Sequence, residues 1–285
     1  MNDEKNVDSG VENEGEELQK MKVETERFKD GYMDAGPGVL SIELPCGHID
    51  EDDNLYRTIV VKEMTGHEED ILMGKGSILS RLNAIISNCT VRLGSIEDRA
   101  TISGAVEKMT AADRLAVMIA IRRVSLGDFF DVKVQCPNPK CKAILHPSVD
   151  LSEVEIMSMP DPMVRQREDT VSTGTTVKWH VMSAEDEGWL TSMKKGKWDE
   201  LSLAMLTRIE SINGEPLDRS KKTVRRAVKI LKALSMRDRI EIRSLFEKNE
   251  GSVDTDVEFV CPDCEHEWTA DMEIGQASFF FPSEV

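Results

Sequence analysis

The chain has 285 residues, 40% hydrophobic and 5% aromatic, with 53 acidic against 36 basic side chains and a formal net charge of −17. That length can bury one large core or two medium ones, and the charge argues against nonspecific binding to nucleic acid or anionic membrane as the main task. No apolar run is long enough to span a bilayer. Met1-Asn2-Asp3-Glu4-Lys5 lacks the basic start and apolar core of a signal peptide, so a reducing cytosolic setting is expected, where six cysteines read as free thiols or metal ligands rather than disulfides.

Residues 1–37 read as a disordered acidic arm, dense in carboxylates from Glu12 to Glu17 and closed by Gly31, Gly36 and Pro37. A first half over 38–159 opens with strands at Val39–Leu44 and Tyr56–Val61 around a Cys46-Gly47-His48 turn. Thr65 and Glu68 have capping-box spacing. Ile78 to Ile86 has helical periodicity, and Val91 to Leu93 reads as a short strand. Thr110 to Asp113 is a second box, opening a helix that Ser125-Leu126-Gly127-Asp128 stops. Phe129 to Gln135 then alternates as one strand. Pro160, Pro162 and Gly174 mark 160–175 as a linker. The second half, 176–285, repeats the order: strand Thr176–His180, box Ser183–Asp186, helical spacing over Leu201–Ile209, a helix over Thr223–Leu234, box Ser235–Asp238, and strand Val257–Val260.

Two features recur at one distance. Asp113 precedes Cys136 by 23 residues, and Asp238 precedes Cys261 by 23. The two box positions are offset by 118 and 125 residues, a difference that a seven-residue loop insertion absorbs. This pattern implies an internal duplication, and the expected fold is α+β, two similar helix-plus-β-hairpin halves joined by zinc-ribbon-like cysteine-pair knuckles.

The cysteine pairs carry the chemistry. Cys136 and Cys141 follow one alternating strand, Cys261 and Cys264 another, and each pair precedes a short strand, Ala143–His146 or Glu267–Asp271. Two strand-turn-strand knuckles supply four sulfurs, the number that tetrahedral zinc requires. A structural Zn2+ held by Cys136, Cys141, Cys261 and Cys264 is therefore expected, with His146 and His266 near enough in sequence to substitute. A thiol-disulfide centre at Cys261-Pro262-Asp263-Cys264 would need a helix N-terminus, whereas Glu265 and Glu267 in a strand-like segment should raise the thiol pKa. Cys46 and His48 alone cannot complete a metal site, and Cys89 ends an apolar helix as a packing residue. Asp113 and Asp238 sit in capping boxes, where a backbone N–H and the helix dipole occupy them. Neither a nucleophile motif nor a phosphate loop is present, so no enzyme is expected.

Two surfaces are candidates for partners. Arg219 to Lys232 carries seven cations and no acid, with Arg225, Arg226 and Lys229 opposite Val224, Ala227, Val228 and Leu231 on a helix. Phe279-Phe280-Phe281 places three adjacent rings that cannot all face one core, which leaves a ring for a partner.

Together, the Leu44-Pro45-Cys46-Gly47 turn, the Asp113-Arg114 helix ending in Arg122, Ser125 and Gly127, the Cys136-Pro137 knuckle, the second cysteine pair and the Phe279-Phe280 tail resemble the T4-type bacteriophage baseplate hub family, whose members include tail hub assembly chaperones. The likeness covers roughly residues 39 to 285. In that family serine often stands where Cys46 does, and the first knuckle here has four residues between its cysteines rather than two. The resemblance implies a non-enzymatic structural component or assembly factor of the hub. Its partners would be other baseplate or tail proteins, hub or tape-measure components, and neither membrane nor nucleic acid. Its place would be the virion tail, or the host cytoplasm during assembly. The knuckles taken alone also fit a zinc-ribbon nucleic-acid-binding or transcription-related module.

Overall fold

Aliphatic and β-branched residues fill Val39–Ile49 (β1) and Leu55–Lys62 (β2), which pair antiparallel, and Thr90–Leu93 (β3) completes a sheet in the order β1-β2-β3. The computed structural model describes residues 38–193, 198–272, 274 and 277–280; the acidic arm and Phe281 lie outside the described residues. Between β2 and β3 run the helices Gly66–Met73 (α1) and Ile78–Cys89 (α2). Arg99–Glu107 (α3) and Ala111–Leu126 (α4) follow. Ile59, Val61, Ile85, Ile86, Val117 and Ile121 form the centre of this core, and Cys89 packs there.

The helix α3 has no counterpart in the sequence reading. Only Ile102, Ala105 and Val106 of it are buried, too short a stripe for periodicity to stand out, and it starts on Asp98, whose carboxylate accepts the Thr101 N–H at 2.8 Å. The expected single strand Phe129–Gln135 is divided. Phe129–Asp131 (β4) pairs with Ser148–Asp150 (β7), and Val134–Gln135 (β5) pairs with Ile144–Leu145 (β6). Pro147 lies between β6 and β7 and has no N–H to continue the ladder, while its carbonyl accepts the Val132 N–H at 2.9 Å.

Ile156–Met157 (β8) leads into the segment read as a linker, and Gln166–Thr170 within it forms β9. This strand pairs with Thr176–His180 (β10), which pairs in turn with Ile209–Ile212 (β11), and Glu215–Pro216 (β12) adds the edge. Ala184–Met193 (α5) and Glu200–Leu206 (α6) connect β10 to β11; α6 ends at Thr207, so the helical spacing expected through Ile209 stops earlier and Ile209 opens the strand. Val224–Ala233 (α7) and Met236–Asn249 (α8) follow. Trp179 is fully buried in this second core, its ring 4.9 Å from that of Phe246 and its indole N–H donated to Asp169 at 2.8 Å.

The chain then returns to the first core. Ser252–Val253 (β13) pairs with β8, and the hairpin Asp256–Val260 (β14) and Glu267–Asp271 (β15) carries the second cysteine pair. Val253, Met272, Ile274, Phe279 and Phe280 all belong to the first core. In the short helix Ala277–Phe280 (α9), Phe279 stacks edge-on against Phe130 at 5.1 Å, and its carbonyl accepts the Arg122 Nε–H at 3.1 Å. Phe279 and Phe280 are therefore core residues, a correction to their reading as partner contacts: burying two rings removes far more apolar surface from water than one exposed anchor would.

The four Ser/Thr-capped helices with a carboxylate three residues after the cap show two patterns. Thr65 with Glu68 and Ser183 with Asp186 close on themselves, the carboxylate accepting the N–H of its own cap residue at 2.9 and 2.8 Å. Asp113 and Asp238 do not. Asp113 accepts the N–H groups of Cys46 (2.7 Å) and Gly47 (3.2 Å), and Asp238 accepts the hydroxyls of Thr173 (2.6 Å) and Thr175 (3.4 Å). Asp113 thus ties α4 to the Cys46-Gly47 turn of β1, and Asp238 ties α8 to the turn between β9 and β10.

Asp186 is also a hub of charge. Burial opposes its ionisation, but His180, Arg219 and the Ser183 N–H outweigh it and hold the carboxyl well below the usual range. Because the folded value is depressed, its stabilisation is present above the ordinary carboxylate pKa of about 3.9 and fades as pH falls below it. The difference in melting temperature between the wild type and Asp186→Asn is expected to be largest at neutral pH and to shrink steadily below about pH 4, as thermal scans across pH would register.

Candidate metal centre

Each cysteine pair sits on a tight hairpin whose backbone aims N–H groups at sulfur. The Cys136 N–H donates to the Ala143 carbonyl and the Cys261 N–H to the His266 carbonyl, both at 2.9 Å, which closes the two knuckles in the same way. The N–H groups of Asn138, Ala143 and His266 in turn donate to the sulfurs of Cys136, Cys141 and Cys264, always two residues on. The residue after each second cysteine, Lys142 or Glu265, has φ of 57° or 55°. That left-handed turn folds the chain back over its own sulfur, at a conformational cost that glycine would avoid.

The knuckles bring all four sulfurs together. Cys136, Cys141, Cys261 and Cys264 place their Sγ atoms within 4.8 Å of one another. Two of the separations that run between knuckles are Cys136 to Cys264 at 3.7 Å and Cys141 to Cys261 at 3.8 Å. A disulfide needs about 2.05 Å. A tetrahedron of sulfurs each about 2.3 Å from a zinc ion has edges near 3.8 Å. The donor set therefore fits a tetrahedral thiophilic cation, and the two additional residues in the first knuckle do not spoil it: Asn138-Pro139-Lys140 makes its own turn, with the Lys142 N–H on the Asn138 carbonyl at 3.1 Å.

The sulfurs differ in charge preference. Burial pushes the Cys136 thiol up to about 12, whereas the His266 N–H draws Cys264 down to about 7 against the effect of its own burial. The Ala143 N–H favours a Cys141 thiolate, but burial and the neighbouring sulfurs outweigh it and raise that pKa. Glu265 and Glu267 were expected to raise the second knuckle's thiols; for Cys264 the backbone N–H prevails. Four sulfurs so close cannot all ionise without a cation among them, and a bound metal would expel the remaining protons.

Other candidate positions resolve plainly. His266 is exposed and stacks its ring on Trp268, 6.2 Å between centroids, and His146 is exposed, so the clustered donors are sulfur alone. Cys46 is buried against Met159 and Val181, with Gly251 approaching so closely that a Cβ there would lie 2.9 Å from the Cys46 sulfur. Two residues escaped the sequence reading. Asn138 donates from Nδ2 to the Cys264 sulfur at 3.5 Å, and Arg165, in the presumed linker, donates to the carbonyls of Cys46 (3.0 Å) and Gly47 (2.7 Å). An asparagine inside a cysteine knuckle was a usable signal for the first; nothing local marked the second.

The scattered motif residues also meet. Asp113 holds the Cys46-Gly47 turn, and Arg122 donates to the carbonyls of Gly127 (3.0 Å), Phe129 (3.1 Å) and Phe279 (3.1 Å). Ser125 accepts the Met64 N–H at 2.9 Å. These are joints of a scaffold, and with the four-sulfur centre they define an α+β structural protein pinned at the meeting of two hairpins. A family model described as T4 bacteriophage base plate protein matches residues 43–281, which takes in both cysteine pairs, and the chain belongs to that family. No curated protein and no solved structure matches it. Its place is accordingly the baseplate of a phage tail, among other tail proteins.

Proposed function

We propose that the protein is a non-enzymatic component or assembly factor of the baseplate hub, made of two copies of one ancestral unit stapled by a structural zinc ion on Cys136, Cys141, Cys261 and Cys264. The observation that carries this reading is the contribution of two sulfurs from each knuckle to one tetrahedral set. Thiolates select soft or borderline cations over magnesium or calcium, and a closed four-cysteine shell leaves no open position for catalysis. Duplication draws support from the recurring order strand, helix, helix, strand, helix, helix, with the two-residue strand β12 added before α7 in the second half. It draws more from the boxes: the first in each half closes on itself, while the carboxylate of the second reaches back to a turn that precedes the first, the Cys46-Gly47 turn or the Thr173–Thr175 turn. The halves would be 38–159 and 176–285, with 160–175 between them and the arm over 1–37. Partners, hub or tape-measure components, would meet the basic face of α7, where Arg225 and Lys229 are exposed and Arg226 is partly engaged by Glu215 at 2.5 Å.

Two measurements test the reading. Elemental analysis of the purified protein should give one zinc per chain. Tagged particles viewed by electron microscopy should place the tag on the tail axis if the protein stays in the hub. If instead the peptides are missing from finished particles, capture of hub subunits by the tagged chain in infected cells identifies the assembly factor. A tag at the baseplate periphery, or metal-free protein with full stability, overturns the proposal.

A further inference from the structure

Among the described residues, the basic strip divides into cations that are engaged and cations that are not. Arg219 is bound by Asp186, Arg226 by Glu215 and Lys232 by Asp199. Lys221, Lys222, Arg225 and Lys229 are exposed and have no acidic partner among the described residues. Lys222, Arg225 and Lys229 follow one another at three- and four-residue spacing, so they stand in one row along α7 and the turn before it, while Val224, Ala227, Val228 and Leu231 face the core. A chain of net charge −17 thus keeps an uncompensated cationic row on its surface.

The charge of the N-terminal arm is distributed unevenly. Residues 1–17 hold seven acids and one lysine, and residues 18–37 hold four acids and four bases. A tail serving only solubility has no need to concentrate its charge at the tip. We propose that this acidic tip, centred on Glu12, Glu14, Glu16 and Glu17, docks on the row Lys221, Lys222, Arg225 and Lys229 of the same chain, covering it until a more acidic tail partner displaces the arm; the idea rests on the row being a docking surface. Reach is not limiting. The 20 neutral-segment residues span up to ~70 Å extended, and a folded body of this size has a radius of gyration near ~18 Å. Linked within one chain by a segment of that length, the two groups meet at an effective concentration of the order of mM, so even a contact with a dissociation constant of ~1 mM is about half occupied.

Zero-length carbodiimide coupling of the full chain at low salt, followed by peptide mapping, tests this. Links from Glu12–Glu17 to Lys221, Lys222 or Lys229 are expected, falling at least about fivefold in 0.5 M salt as charges are screened. In a mixture of light and heavy isotope-labelled chains the links should join like with like. On immobilised heparin, used as a polyanion probe, deletion of residues 1–17 should delay elution, and the combined Lys222→Glu, Arg225→Glu and Lys229→Glu variant should abolish that delay. Absence of arm-to-row links, links chiefly between light and heavy chains, or a deletion effect that persists in the charge-reversed variant overturns the proposal. If the reversal leaves heparin retention of the truncated chain unchanged, the row is no docking surface and the underlying reading falls as well.

Discussion

Replacing Cys261 with serine is expected to lower the midpoint of thermal unfolding by ~10–20 °C. The metal would cross-link positions far apart in the chain: Cys141 and Cys261 are separated by 120 residues. Treated as a covalent staple, closing a loop of that size removes unfolded-state entropy worth ~5 kcal/mol. In a protein of this size each kcal/mol shifts the midpoint by ~2–4 °C. The loss is compounded because the same hairpin leads into Met272, Ile274 and the α9 rings, which belong to the first core. A strong chelator should lower the wild-type midpoint by a similar amount and leave Cys261→Ser unmoved, and calorimetry with and without added zinc distinguishes the two. Cys46→Ala, which alters a buried thiol outside the cluster, should retain full metal content. A wild-type midpoint indifferent to chelation would remove the staple from the account.

The second large effect concerns Asp113. Asp113→Ala leaves the Thr110 cap in place but removes the acceptor of the Thr110 hydroxyl, worth ~1 kcal/mol, and strands the buried N–H groups of Cys46 and Gly47, each worth ~1–3 kcal/mol when left unpaired. A loss of ~4 kcal/mol in urea unfolding is expected. Asp238→Ala removes the corresponding carboxylate of the second half, but its partners are the Thr173 and Thr175 hydroxyls on an exposed turn, which can rotate to water. Its expected loss is ~1–2 kcal/mol. The pH response of Asp113 has the opposite sign to that of Asp186. Burial raises the Asp113 pKa against the N–H bonds it accepts, so the native state binds a proton before the unfolded state as pH falls. Mild acid therefore strengthens the native state at Asp113 and weakens it at Asp186. Equal losses for the two alanine variants would mean that the Cys46 turn holds without its carboxylate.

Much of the local structure was legible in advance because its causes are local. Thr65, Thr110, Ser183 and Ser235 each begin a helix as N-cap chemistry requires, and the apolar side of α7 is the one its periodicity marks. The elements that escaped had short or ambiguous patterns. α3 buries three side chains, β9 is a polar strand within a presumed linker, and Pro147 divides a hairpin from the opposite strand. In the tail the limit was of a different kind. Three adjacent rings state how much apolar surface must be covered but not what covers it, and Phe130 and Arg122 lie far away in sequence.

The same division runs through the four-sulfur cluster. Spacing alone identified four cysteines on two knuckles, because a strand-turn-strand hairpin presents sulfurs in a way that six or seven residues determine. Whether those knuckles meet depends on contacts between segments far apart in the chain: the return of β13 onto β8 and the burial of Met272, Ile274, Phe279 and Phe280 in the first core. Short-range chemistry names the ligands of such a centre, while contacts across more than 100 residues bring its sulfurs within one coordination sphere.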